Sequence, residues 1–288
     1  LYEGNVLVNN FIVTLKCNDV PGIVYATSAA VVAIGGNILE NDQFTDPVTN
    51  QFCMRTRFET ASSEKEVTAR LTNDLASFSP RLGVRSVNAH RRALVMVSTD
   101  DHCVAELLYR HEQGDLPLDI VAIVGNHRDC APIADRHSVP FHEIPVTPET
   151  KVQAEAQLRD VLISQNVDFV VLARYMQILS PEFCSDYSGR IINIHHSFLP
   201  GFKGARPYHQ AYERGVKLIG ATAHFVTSDL DEGPIIEQDV VRVSHARAPK
   251  ELVSIGRDIE RSVLARAVKL IAEDRVALVG NRTVIFSQ

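Results

Sequence analysis

No apolar run in this chain of 288 residues approaches the length of roughly 18 needed to span a bilayer. The longest, such as DFVVLA at 168–173, stop far short. Nor does a charged segment followed by an apolar one open the sequence, so neither a membrane span nor a targeting leader is expected, and a cytoplasmic location is. CxxC spacing is missing as well. The five cysteines, Cys17, Cys53, Cys103, Cys130 and Cys184, are scattered and odd in number. That argues against a disulfide framework and a thiolate zinc site, and suits a reducing compartment. There is no basic excess: the net charge of −6 provides no footprint for nucleic acid. Internal repeats and low-complexity stretches are absent too.

What remains is ordinary globular material, with 45% apolar and 22% charged residues, enough for a full core under a charged surface. At about 100–200 residues per domain, two unequal domains are expected. The first, over 1–88, opens with the strand-like NNFIVTLKC and passes through NDVPGI into ATSAAVVAIGG, a helix closing at Gly-Gly. Two strands follow, NILENDQFTD and QFCMRTRFET, joined by the turn-rich DPVTN. Val67, Leu71, Leu75 and Phe78 then recur at helical spacing, and VRSVNAH supplies a last strand. The order βαββαβ predicts a small ferredoxin-like α+β sandwich that needs a partner surface.

Over 91–288 the pattern changes. Short apolar strands (ALVMVST, LDIVAIVGN, FHEIPV, DFVVLA) alternate with helical segments, which predicts an α/β domain with a Rossmann-like, mostly parallel sheet covered on both faces. A long amphipathic helix over PKELVSIGRDIERSVLARAVKLIAED and a hairpin turning at Gly280-Asn281 close the chain. Ligands of such sheets bind beyond the carboxyl ends of the strands. The strip INIHHSFLPGF at 192–202 is one such end. Strand alternation puts Asn193 and His195 on one face and His196 on the other. Together with Asp231 in HFVTSDLDEGPII they make a trio suited to a polarised carbonyl: amide and imidazole stabilise an oxyanion, and the carboxylate manages the nucleophile. A capped strand end beside a solvated Asp loop is the bland alternative. His196, His209 and His224 lack HxxxH spacing with His195, so no metal is expected. His224 reads as a satisfied strand histidine, and Cys103, with no base partner, is rejected as a nucleophile.

The runs LARYMQILS, INIHHSFLPGFKGARPYHQAY and GATAHFVTSDLDEGPII together resemble the folate-dependent formyltransferase family, whose members carry an Asn-x-His strand end and a downstream Asp-x-Gly-Pro-Ile loop. The resemblance is closest to members that hydrolyse 10-formyltetrahydrofolate to formate and tetrahydrofolate, supplying formate for one-carbon and purine metabolism. It implies Asn193, His195 and Asp231 as the catalytic trio. It also implies a folate pocket lined by Met176, Gln177, Ile178 and Leu179 and by Thr227, Ser228, Asp229 and Leu230. The folate would be substrate, with no cofactor. Formyl transfer to a small amine stays open as the alternative. Transferases of the family carry a glycine-rich phosphate loop after their first strand, where this chain has VSTDDHCV; Asp100 and Asp101 would repel a phosphate. Lys203 and Arg206 read equally as contacts for a folate tail or as a solvated loop.

NDVPGI followed by GGNILEND resembles the ACT domain, a βαββαβ module that pairs with another copy and binds amino acids. The resemblance implies an effector site at Asp19, Gly22, Ile23, Asn37 and Ile38, with glycine and methionine as ligands, and a homo-oligomer formed through this domain. A dimerisation wing without ligand is the alternative.

Overall fold

In the computed structural model, which describes residues 8–201 and 207–286, the chain divides into two compact units. The first, Leu1–His90 with Asp274–Gln288, contains β1 (Asn9–Asn18), α1 (Ile23–Ala33), β2 (Asn37–Thr45), β3 (Gln51–Thr60), α2 (Glu64–Asp74) and β4 (Arg81–Ser86). The antiparallel sheet has the order β2-β3-β1-β4. Alternation along the strands decides its faces. Phe11, Val13, Leu15 and Cys17 of β1, with Phe52, Met54 and Phe58 of β3, form one core with Ile23, Val31, Val67 and Leu71 of the helices. Ser63 starts α2 with a reciprocal capping box to Glu66, which satisfies the first backbone donors of that helix.

The second unit, Arg91–Glu273, holds β5 (Arg91–Val97), α3 (His102–Glu112), β6 (Leu118–Gly125), α4 (Ala131–Arg136), β7 (Phe141–Glu143), α5 (Lys151–Ser164), β8 (Phe169–Leu172), α6 (Pro181–Asp186), β9 (Ile191–His195), α7 (Pro207–Glu213), β10 (Leu218–Phe225), β11 (Ile235–Arg242) and α8 (Pro249–Ala272). Its seven-stranded sheet has the order β11-β10-β9-β8-β5-β6-β7. The strands from β7 to β9 are parallel, whereas β10 adds antiparallel to β9 and β11 antiparallel to β10. The expected mostly parallel sheet is present. Strand order reverses between β5 and β8, so the crevice beyond Val97, Leu172 and His195 is where this architecture binds ligands. Leu94, Met96, Val170 and Phe183 are fully buried beneath it; each such side chain stabilises by about 1.5–3 kcal/mol. Among the described residues no helix is long and apolar enough to cross a membrane.

One expectation needs correcting. The terminal hairpin, β12 (Val276–Val279) and β13 (Arg282–Ile285), turns at Gly280 as predicted, yet it belongs to the first unit and not to a domain running 91–288. The reason is the helix-free face of the first sheet. Cys53 of β3 lies there at 0% exposure, and Val279 and Phe286 cover it. Lys16 donates to the Leu278 carbonyl at 2.5 Å, and Arg282 meets Asp46 at 2.6 Å. Arg275 and Arg55 share Glu40 at 3.3 and 2.7 Å.

Candidate active site

β9 ends at the crevice with Ile192 and Ile194 packed in the sheet. Asn193 and His195 alternate with them. Across the antiparallel β9–β10 pair, Asn193 lies opposite His224 and His195 opposite Thr222. Thr222 stops the strand: its hydroxyl donates to the Ser197 carbonyl at 2.9 Å and accepts from the Leu199 amide at 3.0 Å. The chain therefore leaves the sheet after His195.

Asp231 arrives from the loop between β10 and β11. Leu230 is 56% exposed, whereas the Asp231 side chain is 7% exposed. A left-handed backbone at Asp231, φ 58°, turns the carboxylate inward. Gly233 closes the loop against Phe225, whose amide donates to the Pro234 carbonyl at 2.8 Å. A Cβ on Gly233 would lie 1.7 Å from the Phe225 oxygen, so only glycine fits. His195 Nδ1 then sits 3.3 Å from Asp231 Oδ1, and His224 Nε2 3.9 Å from the same oxygen. Burial pushes the Asp231 carboxyl up, but its hydrogen bond to the adjacent His195 outweighs it and holds the group below its usual range. Asp231 is thus an anion at neutral pH. The structure brings Asn193, His195 and Asp231 together at one strand end.

The other expected positions divide. Gln177, Ile178 and Leu179 line a narrow crevice with Met96, Val124, Ile144 and Tyr175. The loop that carries them is tied to β5, because Ser98 Oγ accepts from the Met176 amide at 2.9 Å and donates to Asn126 at 2.7 Å. Met176 itself is 56% exposed and does not line that crevice. Thr227, Ser228, Asp229 and Leu230 form the turn that delivers Asp231, with the Thr227 hydroxyl donating to the Asp229 carbonyl. Lys203 and Arg206 lie outside the described residues.

His196 does not face away from His195. Because β9 stops at His195, alternation ends there, and the two rings stack with centroids 5.1 Å apart and planes 18° apart. Sequence reasoning also missed Arg174, whose partners come from three separate segments. Its guanidinium donates to His196 Nδ1, reaches Asp100 at 3.3 Å and lies 3.5 Å from Glu260 of α8. Burial, reinforced by the Arg174 charge, pushes the His196 ring down to about 4, so it is neutral near pH 7. Asp100 also pairs with Arg257 at 3.0 Å. The expected repulsion of a phosphate by bare carboxylates is therefore wrong for Asp100, whose charge is compensated.

Glu260 accepts from Tyr208 at 2.7 Å and meets His102 Nε2 at 2.9 Å. Tyr208 reaches it by packing on Gly256, where a Cβ would come within 2.1 Å of the ring. His102, Cys103 and Glu260 lie close enough together to suggest an ion site, but both Glu260 oxygens are already engaged by protein donors. Burial raises the Cys103 thiol well above its usual value, which removes it as a nucleophile. Burial also pushes Glu260 up, yet the His102 and Tyr208 hydrogen bonds and the Arg174 charge hold its carboxyl below the usual range. Glu260→Ala, which strands the buried Tyr208 and the part-buried His102 and Arg174, should cost about 3–5 kcal/mol in denaturant unfolding. For the lowered carboxyl, stability is present above the unfolded pKa of about 4.3 and lost as pH falls through the folded value. The gap between the parent protein and Glu260→Gln should therefore narrow on acidification below that point.

In the first unit, Ile23 is 2% exposed in the core and offers no side chain to a ligand. Gly22 takes φ 101° ahead of α1. Asp19 accepts from Thr45 at 3.0 Å and its amide bonds Asn50, while Asn37 pairs with Glu59, and Ile38 with Phe58. Asn50, just before β3, and Glu59, near its end, differ by nine residues, roughly 30 Å of strand. The expected single cluster is corrected: α1 carries the chain back along the sheet, so Asp19 and Asn37 lie at opposite ends of it.

A model of the formyl transferase family matches residues 91–268. Over 277 residues the chain is 44% identical to formyltetrahydrofolate deformylase of Bacillus subtilis, spanning 95% of this chain and 92% of that one. A solved formyltetrahydrofolate deformylase from Burkholderia mallei matches with a TM-score of 0.94 at 47% identity, covering 97% of this chain and 100% of the other. A glycinamide ribonucleotide transformylase from Symbiobacterium toebii matches with a TM-score of 0.65 at 30% identity, covering 69% of this chain and 95% of its own. Likeness to that transferase stops at part of the chain, whereas likeness to the deformylases runs along nearly all of it. The chain therefore belongs to the formyl transferases and, within them, to the formyltetrahydrofolate deformylase family.

Proposed function

We propose that this chain hydrolyses 10-formyltetrahydrofolate to formate and tetrahydrofolate. The observation that carries the reading is the His195–Asp231 pair at 3.3 Å, on the strand end that also bears Asn193. Asp231, ionised and engaged through Oδ1, takes a proton from water through its second oxygen as the water attacks the formyl carbon. The Asn193 amide N–H and His195 Nε2–H hold the oxyanion, and His195 then gives a proton to the leaving nitrogen. The C–N bond breaks, and formate and tetrahydrofolate leave. The folate is substrate; no cofactor or resident metal enters the scheme. Gln177, Ile178 and Leu179 would hold the folate ring, together with the loop from Thr227 to Leu230.

Incubation with 10-formyltetrahydrofolate alone tests this reading: formate and tetrahydrofolate should form in equal amounts with no amine present. Transfer to an amine predicts no formate under those conditions. Gly233→Ala should reduce turnover about a hundredfold, since a displacement near 1 Å of a reacting group costs that much, while circular dichroism keeps the parental secondary structure.

For the first unit the proposal is a homo-oligomerisation and effector domain of a cytoplasmic enzyme. An amino acid touching both Asp19 and Asn37 must sit between two copies, because the two residues are far apart in one chain. Glycine or methionine binding there should raise the melting temperature by mass action, and no shift with either would leave the unit purely structural.

A further inference from the structure

Asn193 can donate to an oxyanion only if its amide nitrogen, not its oxygen, faces the crevice. An amide on a strand can flip, and the two orientations differ little in shape. Something must choose between them, and the residue directly opposite Asn193 in the β9–β10 pair is His224.

His224 is 2% exposed. Its Nδ1 lies 2.8 Å from the Phe225 carbonyl oxygen. A carbonyl only accepts, so Nδ1 carries the ring proton. Burial lowers the proton affinity of the ring and keeps it neutral, so Nε2 holds a lone pair. Asn193 Nδ2 lies 3.3 Å from that nitrogen. The flipped amide would set its oxygen against the lone pair of a ring that is itself shielded from solvent, acceptor against acceptor, which is repulsive. With Nδ2 toward His224, one amide hydrogen is committed to the ring and the other remains for a developing oxyanion. Asp231 Oδ1, at 3.9 Å from Nε2, is beyond hydrogen-bond reach of the ring and does not compete.

We infer that His224 is a positioning residue for the reaction: its Nε2 lone pair, fixed by the Nδ1–H to Phe225 hydrogen bond, locks the Asn193 amide in the donor orientation. This rests on the proposed role of Asn193 as an oxyanion donor. The chain of constraint runs from a backbone carbonyl through one tautomer to one amide rotamer, with no contact between His224 and substrate.

The test is a double-mutant cycle. His224→Phe keeps the ring and removes both nitrogens; His224→Gln keeps an acceptor near the place of Nε2. In His224→Phe, kcat should fall about tenfold to a hundredfold, less than for loss of the donor itself, with KM changed less than twofold. His224→Gln should recover most of that loss. In the Asn193→Ala background, His224→Phe should cause no further loss of kcat, because its only route to the reaction is gone. Parental kcat in His224→Phe, or a loss that adds fully to that of Asn193→Ala, overturns the inference. If His224→Phe does not fold, as melting would show, the residual defect of His224→Gln is put through the same cycle and must vanish with Asn193→Ala; an additive defect overturns the inference. Parental kcat in Asn193→Ala alone would instead sink the proposed role of Asn193, so the two failures are distinguishable.

Discussion

Asp231→Asn should lower kcat by about two to four orders of magnitude, the range expected when a positioned general base is lost. The substitution preserves size and can keep one oxygen near His195, so the loop should still close on Phe225 through Gly233. What disappears is the anion. Asp231 is held ionised by its hydrogen bond to His195 against the cost of burial, and a neutral amide cannot take a proton from water. The effect should fall on kcat with KM for the folate little changed, because the side chain is 7% exposed and turned toward His195. Single-turnover kinetics with folate binding followed separately checks this.

Asn193→Ala should lower kcat by about two to three orders of magnitude, the measured scale for one oxyanion donor. Asn193 is only part-buried, while its strand neighbours Ile192 and Ile194 carry the packing. The alanine variant should therefore keep its fold, with melting close to the parent. Folate affinity should also persist, since the crevice along Gln177, Ile178 and Leu179 does not include Asn193. A defect in KM instead of kcat would mean that Asn193 binds ground state and transition state alike.

Asn193 and His195 were legible as a pair because they are two apart on a strand end, and alternation puts them on one face whatever the tertiary context; Asp231, on a distant loop, joined them through the family resemblance and not through alternation. The βαββαβ order of the first unit was legible for the same reason, through the alternating Phe11, Val13 and Leu15. His196 was misread because alternation holds only while the strand lasts, and Thr222, a residue on another strand, ends β9 one position earlier. Arg174 was invisible as a site residue. Its partners Asp100, His196 and Glu260 come from three other segments, and no local period encodes such meetings. His224 needed the register: once β10 is known to run antiparallel to β9, its place opposite Asn193 follows. The hairpin turn at Gly280 was local and readable, whereas the sheet face it covers was not. The span between Asp19 and Asn37 was hidden by α1, which reverses the chain direction between two motifs that are close in sequence.

The most direct test of the central claim is turnover of 10-formyltetrahydrofolate in 18O-labelled water, with no amine added. Hydrolysis gives stoichiometric formate and tetrahydrofolate, with one labelled oxygen in each formate from a single turnover. Formate without label, or tetrahydrofolate released only when an amine is supplied, would contradict it.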